Sequence, residues 1–168
     1  MITFKVGEAS PANTFFAIWM AEAAGLYKQN DLGFEVVKMV GGSETGPALS
    51  TDKIQLMHIG MSSVVRANSA GFNVTTIGSL SNVIRSTLFA GPGVNGIEDI
   101  KGNKVGISSA GSESELSTVV ALEKLGLSRD DIKFQEIGVE RLTHLKNGTV
   151  KATMLGEPLR SVAFAEGL

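Results

Sequence analysis

The sequence Lys104-Val105-Gly106 repeats the sequence Lys5-Val6-Gly7, found about a hundred residues earlier in the chain. Two more landmarks recur in the same order at nearly the same spacing. Gly25-Leu26 returns as Gly126-Leu127, and the series Leu49, Ile54, Ile59, Gly60 returns as Leu145, Val150, Leu155, Gly156. Three ordered matches indicate an internal repeat, and one of this length is too long for a solenoid unit. The repeat predicts two similar α/β lobes that face each other across a cleft.

Alternating strand and helix patterns fill both halves of the chain. Ile2–Glu8 alternates apolar and polar residues, as a strand does, whereas Thr14–Tyr27 has helical spacing, with Asn13 as N-cap and Gly25 as its end. The same reasoning predicts further strands and helices: strands Phe34–Val40, Ile54–Ile59, Asn73–Leu80, Lys104–Ser108, Lys133–Ile137 and Val150–Leu155, and helices Ser62–Ala70, Ser112–Leu125 and Glu140–Lys146. This order predicts an α/β fold with mostly parallel sheets flanked by helices.

One segment interrupts the alternation of strands and helices. Arg85–Ala90 is extended and leads into Gly91-Pro92-Gly93, after which the pattern begins again. We therefore expect lobe 1 at residues 1–84, a hinge crossover at residues 85–93 and lobe 2 at residues 94–168.

Composition excludes several classes of chemistry. The chain has no cysteine, so disulfides, thiolate metal sites and cysteine nucleophiles are ruled out. Its two histidines are isolated in the sequence, and we predict neither a metal site nor a cofactor. A net charge of −2 gives no electrostatic reason to expect a nucleic acid partner. No Ser-His-Asp set stands out either, which favours binding over catalysis, and we predict no catalytic residue.

Four segments resemble the type II periplasmic substrate-binding proteins of ABC transporters, in the branch that binds alkanesulfonates, taurine, nitrate or thiamine-pyrimidine precursors. The segments are Trp19–Leu26 (WMAEAAGL), Ala48–Gly60 with Val65–Gly71 (VRANSAG), Gly96–Gly106 (GIEDIKGNKVG) and Leu145–Pro158 (LKNGTVKATMLGEP). The third is the most specific. The chain departs from the family pattern before the third strand, where Asp52-Lys53-Ile54-Gln55 lacks the usual Gly and Asp, and at Lys151, where Asp is usual.

The resemblance implies a solute-binding component of an ABC importer, which captures a small polar or anionic ligand by hinge closure and is then recognised by a membrane permease. It implies a periplasmic location, or an extracellular one with a membrane anchor, for a chain whose leader is absent; the cytoplasm is the alternative. Family members are longer, so the resemblance also implies a C-terminally incomplete fold with exposed sheet edges, which pairing with a second copy would cover.

Ligands of open parallel sheets lie beyond the carboxyl ends of the strands. This argument selects the loops that include Ser108–Ser114 and Gly138–Arg141. Hydroxyl groups and free N–H groups at helix starts bind anions, and the Ser108–Ser112 segment is the strongest such site. The predicted ligand-binding residues share these loop positions or come from the family motif: Ser10, Asn13, Phe15, Ser43, Ser62, Ser63, Ser81, Ser108, Ser109, Gly111, Ser112 and Glu157.

Each of these residues also has an ordinary structural role open to it. Ser, Asn and Gly most often cap helices and form turns. Phe15 either packs in the core or faces a ligand ring, Glu157 either meets a ligand cation or caps the next helix, and His58 is more readily a core or rim histidine than a metal ligand.

Two other functions remain open on the sequence alone. One is an enzyme on the same scaffold, in thiamine-pyrimidine or menaquinone biosynthesis, although the pyrimidine synthases carry a Cys-rich motif that this chain lacks. The other is a cytosolic effector-binding regulatory domain, although such proteins carry a helix-turn-helix before the first strand.

Overall fold

The computed structural model describes residues 1–9, 15–39 and 41–168. The chain divides into two units, Met1–Leu80 and Ser81–Leu168. We call these unit 1 and unit 2.

Unit 1 contains a three-stranded sheet in which β1 is central. Its elements in chain order are β1 (Ile2–Glu8), α1 (Phe16–Ala23), α2 (Leu26–Gln29), β2 (Leu32–Lys38), a 3-10 turn (Gly42–Glu44), α3 (Thr45–Ser50), β3 (Leu56–His58) and α4 (Met61–Ser69). The strand order is β2-β1-β3, and both pairings are parallel. Met39, Ala48 and Ile54 form the buried core beside this sheet.

Glycine divides the predicted first helix. Gly25 has a φ of 69°, in the left-handed region that glycine tolerates best, and it separates α1 from α2. The helix predicted over Thr14–Tyr27 is therefore two helices. Its predicted first residue, Thr14, and its predicted N-cap, Asn13, lie outside the described residues.

Unit 2 contains a four-stranded sheet. Its elements are β4 (Thr87–Ala90), a 3-10 turn (Ile97–Asp99), β5 (Lys104–Ile107), α5 (Glu113–Lys124), a 3-10 turn (Arg129–Asp131), β6 (Lys133–Glu136), α6 (Arg141–Lys146), β7 (Ala152–Leu155) and α7 (Leu159–Ala165). The strand order is β4-β7-β5-β6, in which β4 runs antiparallel to β7 and the other pairings are parallel. The buried core lies on both sides of β7 and β5, in two clusters that include Leu145, Val150, Leu155, Val105 and Leu122.

The internal repeat is confirmed by the topology. β1 lies between β2 and β3 as β5 lies between β6 and β7. A backbone hydrogen bond recurs at the matching place, because Gln55 N–H donates to Lys5 C=O at 2.9 Å and Lys151 N–H donates to Lys104 C=O at 2.8 Å. Unit 2 adds one strand, β4, on the outer edge of β7.

Two further segments differ from the sequence prediction or add to it. The predicted strand Asn73–Leu80 is wrong, because residues 73–79 have no regular secondary structure and most of their side chains are exposed. The segment Arg85–Gly93, predicted to be a crossover, contains β4, which pairs with β7 inside unit 2.

Candidate functional site

Three serine hydroxyls form a triangle where α5 begins. The Oγ atoms of Ser108 and Ser112 are 3.0 Å apart, those of Ser108 and Ser114 are 2.9 Å apart, and those of Ser112 and Ser114 are 2.8 Å apart. Ser108 N–H also donates to Ser114 Oγ at 2.8 Å, and Ser112 Oγ caps the helix by accepting from Glu115 N–H at 3.4 Å. Hydroxyl groups rotate freely, so the hydrogens that join the triangle can turn toward a bound acceptor.

The hydroxyl group of Ser109 is a hydrogen-bond donor without an acceptor among the described residues. The residue is only 6% exposed, and its Oγ has no hydrogen-bond partner among the described residues. Buried polar groups are almost always hydrogen-bonded, and a missing partner costs about 1–3 kcal/mol. A ligand oxygen at this position would remove that cost. The serine site, as we call Ser108, Ser109, Ser112 and Ser114 at the N-terminus of α5, therefore suits an anion.

A buried carboxylate beside the serine site is fully paired. Glu115 accepts from Gly111 N–H and from Arg129 Nη2. Gly111 has a φ of 72°, which favours glycine and turns its N–H toward the carboxylate. Arg129 balances the charge of Glu115, whereas Glu113, the first residue of α5, adds a second carboxylate to the first turn of the helix.

Arg141, the first residue of α6, brings a positive charge to the same edge of the sheet. Its Nη1 donates to Gly138 C=O at 3.2 Å and its Nε to Met154 C=O at 3.1 Å. Gly138 N–H in turn donates to Ser108 C=O at 3.1 Å, which connects the arginine to the serine site. Burial lowers the pKa of Arg141 below its ordinary value, yet an arginine stays protonated in proteins. No carboxylate of the described residues forms an ion pair with Arg141, so its charge remains available to a ligand.

In unit 1, the predicted residues lie at the carboxyl ends of the strands or near them. Phe15 is 1% exposed, and its ring makes edge contacts with the rings of Trp19, at 5.7 Å, and His58, at 6.5 Å. The Oγ of Ser62 is buried without a partner among the described residues. Ser63 is buried and lies against Gly42. A Cβ atom added to Gly42 would overlap the Ser63 hydroxyl. Ser43 is exposed in the 3-10 turn.

The remaining predicted residues lie elsewhere. Ser10 and Asn13 lie outside the described residues. Ser81 is exposed, and its hydroxyl donates to Val83 C=O at 3.0 Å within its own turn. Because no strand forms over residues 73–79, Ser81 does not follow the end of a strand.

Glu157 lies just before α7 and is hydrogen-bonded to residues of that helix. Its carboxylate accepts from Arg160 Nε at 2.6 Å, from Ser161 Oγ at 2.7 Å and from Ser161 N–H at 3.2 Å. The hydrogen bond from the Ser161 hydroxyl is the main reason that the pKa of Glu157 is lowered, and Arg160 adds to it. These contacts are those of a residue that caps α7.

Sequence reasoning missed three residues that the structure brings to these edges. Ser114 and Arg141 were inside the selected loops but were not singled out. Glu8, at the end of β1, was read as part of an alternating strand, although it is 2% exposed and bonded to Lys38 across the sheet.

The described residues contain no cluster of three or more His, Cys, Asp or Glu residues that could hold a metal ion. Within the same ranges, no helix is long and apolar enough to cross a membrane.

Comparison with solved structures defines the class of fold. The alkanesulfonate-binding protein SsuA from Xanthomonas axonopodis pv. citri, solved bound to MOPS, matches with a TM-score of 0.82 and 20% identity over 99% of this chain and 58% of that one. The periplasmic nitrate-binding protein NrtA from Synechocystis PCC 6803 matches with a TM-score of 0.80 and 16% identity over 100% of this chain and 50% of that one. The chain therefore has the fold of a periplasmic binding protein, as predicted.

The family is shown by sequence. The family model described as NMT1/THI5 like matches residues 12–160, so the chain belongs to that family. A curated relative, the 4-amino-5-hydroxymethyl-2-methylpyrimidine phosphate synthase of Schizosaccharomyces pombe, is 26% identical over 152 residues, which are 89% of this chain and 43% of the relative. The chain thus spans less than half the length of that relative and little more than half of the structures it resembles.

Proposed function

We propose that the chain is the solute-binding component of an ABC importer and that it holds the anionic group of a small ligand at the serine site. The observation that carries the proposal is the buried, unpartnered hydroxyl of Ser109 beside a triangle of rotatable hydroxyls at a helix N-terminus. Arg141 adds a positive charge at the same edge of the sheet, where its Nη1 donates to Gly138 C=O. The solved structures of similar fold are described as binding an alkanesulfonate or nitrate, which supports an anion as the ligand.

The rest of the mechanism is proposed from the resemblance. A hinge in the segment 85–93 would let the lobes close on the ligand, and a permease would recognise the closed form. A periplasmic location belongs to the same proposal. Pairing with a second copy stays a prediction.

The test is a titration of the full chain with methanesulfonate, nitrate and methylphosphonate. Calorimetry measures binding, and the amide NMR signals of residues 108–115 locate it. We expect binding by at least one of these anions, with shifts centred on the start of α5. Ser109→Ala should weaken it by about tenfold, because one hydrogen bond to a charged group is lost.

Ser128→Ala is the matched control, because Ser128 also lies at the start of a helical turn in unit 2 and its hydroxyl donates to Asp131 within that turn. This variant should bind like the wild type. Failure of all three anions to bind, or equal weakening by both substitutions, would contradict the proposal.

A second candidate is an enzyme that makes the pyrimidine of thiamine, favoured by the similarity to the Schizosaccharomyces pombe synthase. Native mass spectrometry of the purified chain would recover any bound compound. A compound that leaves with its mass unchanged supports binding, whereas one converted on incubation supports the enzyme.

A further inference from the structure

Three titratable side chains lie in a row across the sheet of unit 1. Lys38 on β2, Glu8 on β1 and His58 on β3 are register partners at the last paired position of each ladder. All three strands are parallel, so this row lies at the carboxyl edge of the sheet, where parallel sheets bind ligands.

Glu8 is the buried member of the row, and its two oxygens differ. Its Oε2 is ion-paired with Lys38 Nζ, and the Lys38 side chain is 74% exposed. Its Oε1 is buried and has no hydrogen-bond partner among the described residues. The charge of the carboxylate is thus balanced from the solvent side, whereas one oxygen retains its full capacity to accept hydrogen bonds.

A second unpartnered polar atom follows the neighbouring strand. Ser62 Oγ is buried without a partner in the described part of the chain, four residues after His58. On the side of β3 the row borders an apolar ring, since the His58 ring meets the edge of the fully buried Phe15. Such surroundings strengthen a hydrogen bond to a carboxylate and make an unmet acceptor costly.

An ionised carboxylate only accepts hydrogen bonds, so Glu8 Oε1 selects for a donor and repels an anionic group. A hydroxyl or water would satisfy it in part. An N–H that carries positive charge satisfies it best, because charge-assisted bonds are about twice as strong as neutral ones.

We propose that Glu8 Oε1 accepts a hydrogen bond from an N–H group of the bound solute, of the ammonium, amidinium or guanidinium type. This inference deepens the proposed solute binding and rests on it, since it names the group that unit 1 recognises. Ser62 Oγ lies at the same edge as a further hydrogen-bonding group for the solute.

The test is an NMR titration of the full chain with methylguanidinium chloride, read from the side-chain carboxyl carbon of Glu8 and the backbone amides of residues 6–9 and 56–63. Tetramethylammonium chloride is the control probe, because it has the same charge and no N–H. We expect saturable shifts at Glu8 with methylguanidinium and none with tetramethylammonium.

Two variants distinguish the role of Glu8 Oε1 from that of the ion pair between Glu8 and Lys38. Glu8→Gln keeps the shape but removes the charge, and it should weaken methylguanidinium binding by about tenfold. Lys38→Met removes the same ion pair and leaves Glu8 Oε1 in place, so it should bind as tightly as the wild type or more so. Lys38→Met leaves a buried carboxylate without its countercharge, so circular dichroism checks that each variant folds. The comparison of the two cations on the wild type decides the proposal even where a variant does not fold.

Equal shifts from both cations would overturn the proposal, because they would reflect charge alone. Loss of binding in Lys38→Met would overturn it as well, since the ion pair would then be what matters. The anion titration at the serine site is a separate readout in unit 2. Loss of anion binding with methylguanidinium binding intact would contradict the proposed anion ligand and leave the assignment of Glu8 standing.

Discussion

Gly7 lies directly against Ile54: a Cβ atom at Gly7 would be 2.8 Å from Ile54 Cδ1, a separation that real Cβ atoms essentially never show. Gly7 is in the central strand of unit 1, and Ile54 is fully buried. The matching glycine of unit 2, Gly106, is covered in the same way by Ile137. In both units an isoleucine side chain packs over the central strand at its glycine, which favours glycine at this position of the repeat.

Gly7→Ala should destabilise the protein by about 1–3 kcal/mol, because the added methyl group overpacks the core. Ile54→Val removes Cδ1, the atom that the added methyl group would overlap. The double variant should therefore lose less stability than the sum of the losses in the two single variants. Urea unfolding followed by circular dichroism measures each value. Gly78→Ala is the control, since Gly78 has no atom within 4 Å of a built Cβ. A loss of stability in Gly78→Ala equal to that in Gly7→Ala would contradict this account.

Sequence patterns predicted the elements whose causes are local. The strand Ile2–Glu8 is observed with the predicted bounds, and the helix predicted over Ser112–Leu125 is observed as α5, Glu113–Lys124. The repeat predicted that two sheets share one topology, and the structure confirms it.

Features that depend on distant pairing could not be predicted in this way. Residues 73–80 have the composition of a strand, yet a strand exists only beside a partner, and no strand of the described residues pairs with this segment. The roles of Glu8 and Arg141 depend on which strand ends lie side by side, and Glu8 meets Lys38 only through the β1–β2 register. Spacing within the sequence carries no signal for either residue.

Arg141→Met should weaken anion binding at the serine site by about tenfold or more, because the charge connected to Ser108 through Gly138 is lost. Arg141→Lys keeps the charge but cannot hold both carbonyl groups, so it should fall between the wild type and Arg141→Met. Calorimetry with the anion that binds best provides the measurement. Arg160→Met is the control, because it removes a half-exposed arginine of unit 2 that pairs with Glu157. If Arg160→Met weakens binding as much, the effect belongs to net charge alone.

The titration of Glu157 should depend on Ser161. The Ser161 hydroxyl is the main cause of the lowered pKa, so Ser161→Ala should raise the pKa of Glu157 toward its ordinary value. A carboxyl group whose pKa is lower in the folded state stabilises the fold above its unfolded pKa, and the contribution disappears as the pH falls through the folded pKa. The wild type should therefore lose this contribution at a lower pH than Ser161→Ala. Carbon NMR of the Glu157 carboxyl measures both pKa values, and equal values would show that the hydroxyl is not the cause.

The outer edge of β3 should exchange its amide hydrogens faster than the matching edge of β7. β7 lies between β5 and β4 and is buried along its whole length, whereas β3 pairs only with β1 among the described strands and is half-buried. Alternate N–H groups of a strand point to opposite edges, so one set in β3 has no ladder to protect it.

Hydrogen exchange followed by mass spectrometry measures this difference on peptides covering Leu56–His58 and Ala152–Leu155. We expect the fastest β3 amides to exchange about tenfold or more faster than those of β7, after correction for intrinsic rates. The central strands β1 and β5 are the internal control, since each has a strand on both sides and both should be protected. Protection of β3 equal to that of β7 would contradict the prediction. If that protection disappeared on dilution, the edge would be covered by a second copy of the chain.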